Sequence, residues 1–221
     1  MNHLNRPAGR SLIAGAVMLF ITMGLHPAGG SLERIVAIYT LIVSVHALAM
    51  LSLPVLALGF WGLSSWLMTR NGLSLLAFFV MGFGLVAAML AALFNGLVLP
   101  TYAMRHVSDT GADSATIKLI VHYGLIINRS LDYVFITAIA IAMGIWSGLM
   151  LQTGRLPRWL GYWGVLLVGI IVIGALTNFD FIGVAGFRVF VFGLAGWIVL
   201  VGYFLSRIVQ SESSEPLRTN G

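Results

Sequence analysis

Cysteine is absent from the 221 residues. That removes disulfides, thiolate metal sites, iron–sulfur clusters and cysteine nucleophiles together. Charge is scarce as well. Asp, Glu, Lys and Arg make up 9% of the chain, against about 25% in a soluble domain, so this sequence cannot cover a water-facing surface. No G-x-S-x-G and no His-x-x-x-His occurs, which leaves the serine-hydrolase elbow and the zinc-protease helix without their residues. No catalytic residue, metal site or resident cofactor is therefore expected.

What the chain does hold is apolar: 59% hydrophobic residues and a mean hydropathy of +1.00. The excess requires lipid. The formal charge of +5 is spread over loops and reflects membrane topology, not nucleic-acid binding. Six apolar stretches are long enough to cross a bilayer at about 20 residues each: Ser11–Leu25, Ile35–Leu67, Leu73–Leu99, Ile117–Leu151, Trp159–Thr177 and Phe187–Val209. None alternates as a barrel strand does, and backbone groups in lipid must be bonded within the segment. The expected fold is all-α: a six-helix transmembrane bundle over residues 1–210, followed by a short polar cytoplasmic tail over 211–221.

Arg6 and Arg10 before the first run also fit a secretory signal, but His26-Pro27-Ala28-Gly29-Gly30 offers no good A-x-A cleavage site, so a retained helix is expected. Lys and Arg placement sets the orientation. With the N-terminus in the cytoplasm, Arg6, Arg10, Arg70, Arg155, Arg158, Arg207 and Arg218 lie inside. Arg34, Arg105, Lys118 and Arg188 lie outside, beside Glu33, Asp109, Asp113 and Asp180. Both termini are thus expected in the cytoplasm.

Glycines suggest how the bundle closes. Gly144-x-x-x-Gly148, Gly161, Gly164, Gly193 and Gly196 would allow close backbone approach, within the chain or across a homo-oligomer face. A faint echo relates Gly59-Phe60-Trp61 to Gly144-Ile145-Trp146 and Phe94-Asn95 to Phe179-Asp180, as in a parallel repeat. Trp61, Trp66, Trp146, Trp159 and Trp163 suit an interfacial belt.

Polar residues inside membrane segments point to function or to helix pinning. In the fourth crossing Lys118, His122, Leu125, Arg129 and Asp132 step by helical spacing along one face, with Asn128 beside it and Arg129 within ion-pair reach of Asp132. The second crossing carries His46, and Pro54 frees the carbonyl of Met50 one turn away. His26, Asn95, Asn178, Asp180 and Arg188 fall at the same level, although His26 beside a proline reads foremost as a helix-end residue. Together they predict an outward-facing polar pocket that binds a small polar ligand or a partner through His46, His122, Asn128, Arg129 and Asp132. The alternative is a haem- or quinone-binding redox protein, with His46 and His122 as the haem ligands.

The segment Arg155-Leu156-Pro157-Arg158-Trp159-Leu160-Gly161-Tyr162-Trp163-Gly164, within Gly148–Ala175, resembles a motif of an uncharacterised bacterial family of small multi-pass membrane proteins, a domain of unknown function. The resemblance implies an inner-membrane protein and carries over no catalytic residue.

Overall fold

A computed structural model describes residues 5–27, 31–69, 72–106, 114–181 and 183–212. These residues form α-helices and no strand. The helices are α1 (Asn5–Leu25), α2 (Leu32–Ala37), α3 (Tyr39–Trp66), α4 (Leu73–Leu93), α5 (Leu99–His106), α6 (Ser114–Thr153), α7 (Arg158–Leu176) and α8 (Val184–Glu212). A π turn, Phe94–Val98, joins α4 to α5 without a break. Six helices are long and apolar enough to cross a bilayer: α1, α3, α4 through α5, α6, α7 and α8. Arg70, Asp109, Asp113, Arg218 and nearly all of the polar tail lie outside the described residues.

Three boundaries differ from the sequence expectation, each for a local reason. The second crossing is not one helix, because the chain turns at Ile38 between α2 and α3; Ser31 caps α2 by accepting from the Arg34 amide at 3.4 Å. The third crossing continues to His106. Pro100 lacks an N–H and its ring would strike the carbonyl four residues back, so the preceding turn widens to π geometry and the helix survives. The fourth is 40 residues long, about 60 Å, twice what a bilayer requires.

Helix ends follow short-range chemistry. Gly72 at φ 68° precedes α4, and Gly154 at φ 62° follows α6. Beyond α7, Asn178 takes φ 57°, and the amides of Phe179 and Asn178 bond the carbonyls of Gly174 and Ala175 at 2.8 and 3.4 Å. That paired pattern terminates the helix.

Each long helix packs on its predecessor, and α8 returns to α1, so α1, α3, α4, α6, α7 and α8 close a ring in chain order. α1 is integral to it, with Ala8, Leu12 and Ala16 buried. Gly9 and Gly202 make the α1–α8 crossing, where a methyl on either would strike backbone of the other helix. Gly161 and Gly164 likewise meet Ser147 of α6, as the small-residue expectation required. Gly144 and Gly148 do not: nothing lies closer than 3.9 Å to a side chain at the first, and nothing within 4 Å at the second.

Trp146 is not a belt residue. It is fully buried, donates to Ser64 Oγ at 3.0 Å and stacks on Phe60 at 5.2 Å. Ser74 Oγ in turn donates to the Ser64 carbonyl at 2.8 Å. Trp61, its counterpart in the supposed repeat, is exposed, and Asn95 sits in a π turn while Asp180 lies beyond a helix end. The echo has no structural counterpart at these positions. Outside the ring, large apolar side chains such as Phe83 and Ile173 are exposed, an exterior suited to hydrocarbon.

Candidate functional site

The ring encloses a cavity of about 200 Å³. All the long helices except α7 line it. Its polar side chains lie toward the end where α1 finishes and α3, α6 and α8 begin: Thr22, His26, His46, Asn95, Asn128 and Asp132. Toward mid-bundle the lining becomes apolar, with Leu56, Phe60, Met81, Leu85, Phe135 and Leu194. The site is therefore amphipathic, with a polar mouth over an apolar floor, where the sequence suggested a purely polar pocket.

His46 and His26 meet at the mouth, their rings edge to face with centroids 5.0 Å apart. His46 Nδ1–H donates to the Ile42 carbonyl one turn back at 2.8 Å, and His26 Nδ1–H donates to the Pro27 carbonyl at 3.0 Å. A carbonyl can only accept, so in each neutral ring Nδ1 carries the hydrogen and Nε2 is left as an acceptor. Burial holds the His26 pKa down to about 4, with the neighbouring His46 and Arg188 adding to the effect. Arg188 also anchors the segment by donating from Nη2 to the His26 carbonyl at 2.7 Å.

The π turn sets the third side. It brings Asn95 to the lining and places Gly96 directly against the His46 side chain, where any Cβ would collide. On α6, Asn128 Nδ2 donates to Asp132 Oδ2 at 2.9 Å. Among the described residues no lysine or arginine pairs with Asp132. A charge turned inward in a membrane segment is costly, and a single amide offsets part of that cost. On α1, the Thr22 hydroxyl is buried, with the residue 4% exposed, and finds no hydrogen-bond partner. Thr22 belongs to the cavity wall, and its hydroxyl is an unsatisfied polar group within that wall among the described residues.

Of the five residues expected at the pocket, His46, Asn128 and Asp132 line it, whereas His122 and Arg129 do not. Arg129 pairs with Asp180 at 3.2 Å instead of Asp132, both side chains being more than half exposed. Lys118, His122, Leu125 and Arg129 are all exposed, and the buried stripe runs through Ile117, Gly124, Phe135 and Ile139. The expected face is thus turned away from the core by about a quarter turn at 100° per residue. The Met50 carbonyl is not needed either, since its neighbours Ala49 and Leu53 line the cavity and Met50 does not. His26 and Thr22 were the residues sequence reasoning undervalued.

The haem reading does not fit these residues. His122 is exposed and away from the cavity, and the volume suits a single small ring, not a porphyrin. Among the described residues no three His, Asp or Glu side chains gather for a metal ion. Comparison with known protein families, with curated proteins and with solved structures finds no match to this chain.

Proposed function

We propose that this chain is a multi-pass protein of the bacterial inner membrane that binds a small amphipathic ligand in the ring cavity, from the non-cytoplasmic side. The observation that carries this reading is the buried, unpartnered Thr22 hydroxyl on a cavity polar at one end and apolar at the other. The size gives a scale: a cavity of about 150 Å³ lined by apolar residues holds benzene, so about 200 Å³ accommodates one ring with a short polar head. The orientation rests on the charges at the two ends. Arg6, Arg10, Arg155, Arg158 and Arg207 lie at the end opposite the mouth, and Arg34, Arg105, Lys118 and Arg188 lie at the mouth end with Glu33 and Asp180.

Absence of cysteine makes the test clean. Ala92→Cys lies on the cavity lining, and Thr153→Cys lies at the opposite end of α6. A membrane-impermeant maleimide applied to intact spheroplasts should label the first and not the second, and 2-phenylethanol should slow the first reaction. Labelling of position 153 alone would reverse the orientation. Labelling at 92 that no single-ring compound slows would contradict the binding role.

A further inference from the structure

The mouth presents several hydrogen-bond acceptors, beside donors that include the Asn95 amide and the second Nδ2 hydrogen of Asn128. His26 Nε2 and His46 Nε2 remain acceptors because their Nδ1 hydrogens are committed to backbone carbonyls. Asp132 offers carboxylate oxygens, and Asn128, having given a hydrogen to Asp132, keeps its amide oxygen. The Thr22 hydroxyl can accept as well as donate. Arg129 is engaged on Asp180, and Arg188 donates from Nη2 to the His26 carbonyl while its buried Nε has no partner among the described residues. Below the mouth, the rings of Phe60 and Phe135 line the cavity, and aromatic faces attract cations in desolvated sites.

We infer that the ligand of this cavity is a small lipophilic cation, a protonated amine on a body of about one aromatic ring. Its ammonium pairs with Asp132 and donates to the histidine and threonine acceptors, and its ring lies over the apolar floor. The ammonium supplies the countercharge that Asp132 lacks among the described residues, and its three hydrogens match several acceptors at the mouth. A neutral alcohol of the same shape supplies one hydrogen and no charge. This inference rests on the binding role proposed above and specifies the ligand class.

The test is calorimetric titration of detergent-purified protein with 2-phenylethylammonium and with its near-isostere 2-phenylethanol. Three proteins are compared: the native chain, Asp132→Asn, and Ala88→Phe, which fills the cavity from α4. The expected result is saturable ammonium binding at least tenfold tighter than alcohol binding. Asp132→Asn should lose that preference while alcohol binding stays within about threefold, and Ala88→Phe should abolish both. Ammonium affinity unchanged in Asp132→Asn, or alcohol bound as tightly as ammonium, overturns the cation and leaves the cavity as a neutral-ligand site. Absence of any saturable binding that Ala88→Phe removes overturns the ligand site itself, and the cation with it.

Discussion

Arg129 and Asp132 stand one helical turn apart on α6 and do not pair. Arg129 reaches Asp180 beyond the end of α7 at 3.2 Å, while Asp132 turns inward to Asn128. The change of direction within one turn locates a boundary. On one side of it Arg129 is exposed, and on the other Asp132 lines the cavity.

The Arg129–Asp180 pair is exposed, and such pairs contribute about 0–1 kcal/mol. Asp180 also accepts from the Gly183 amide at 3.0 Å, so it shapes the loop as well. Arg129→Ala should change the detergent melting temperature by no more than about 4 °C, in keeping with that small contribution, and should leave ligand affinity unaltered. A tenfold loss of affinity in thermal-shift titrations would return Arg129 to the site.

Trp146 holds the core together by both packing and a hydrogen bond. Trp146→Phe removes the donor to Ser64 and leaves a void beside Phe60, which should cost about 2–3 kcal/mol. Trp61→Phe, on the exposed side, should cost less than about 0.5 kcal/mol. Equal losses in chemical denaturation of the two variants would contradict the buried placement.

Gly96 has no room for a side chain because His46 occupies the space. Gly96→Ala should displace His46 and with it the mouth, costing about 1–3 kcal/mol of stability and most of the ligand affinity. Gly148→Ala, with nothing within 4 Å, serves as the comparison and should be neutral on both counts. A Gly96→Ala protein that binds as the native chain does would remove the π turn from the site.

Much of the fold was legible in the sequence because apolar run length decides where a helix can cross lipid. Trp159–Thr177 as read and Arg158–Leu176 as observed differ by one residue at each end. The inward face of α6 was not legible. In its projecting part, polar residues seek water and mark the outside, as Lys118 and His122 do; farther along, Asp132 faces inward. A polar stripe at helical spacing runs through both regimes without showing where one gives way to the other. Trp146 and Trp61 present the same ambiguity, since tryptophan suits either an interface or a core with a hydrogen-bond acceptor. His26 was undervalued because a histidine before proline resembles a helix end, and only the closing of α1 on α3 brings it to His46.

His26 predicts a pH dependence. Its pKa is lowered from 6.5 to about 4 by burial, with His46 and Arg188 as the charged or titratable neighbours that contribute. The unfolded chain therefore binds the proton first, so this residue's contribution to stability is complete above about pH 6.5 and falls as the pH drops toward 4. The native protein should lose more melting temperature between pH 7 and pH 4.5 than His26→Gln does. Parallel curves for the two proteins would show that His26 does not remain neutral in the fold.

The Thr22 hydroxyl gives the most direct measurement of all, because it separates an empty defect from a binding group. Calorimetric titration and melting should be run together on the native chain and Thr22→Val. The expectation is that Thr22→Val leaves the ligand-free melting temperature unchanged or higher, since an unpartnered buried hydroxyl is removed, and weakens 2-phenylethylammonium binding several-fold. A lower ligand-free melting temperature with undiminished binding would contradict it, because the hydroxyl would then serve the fold and not the ligand.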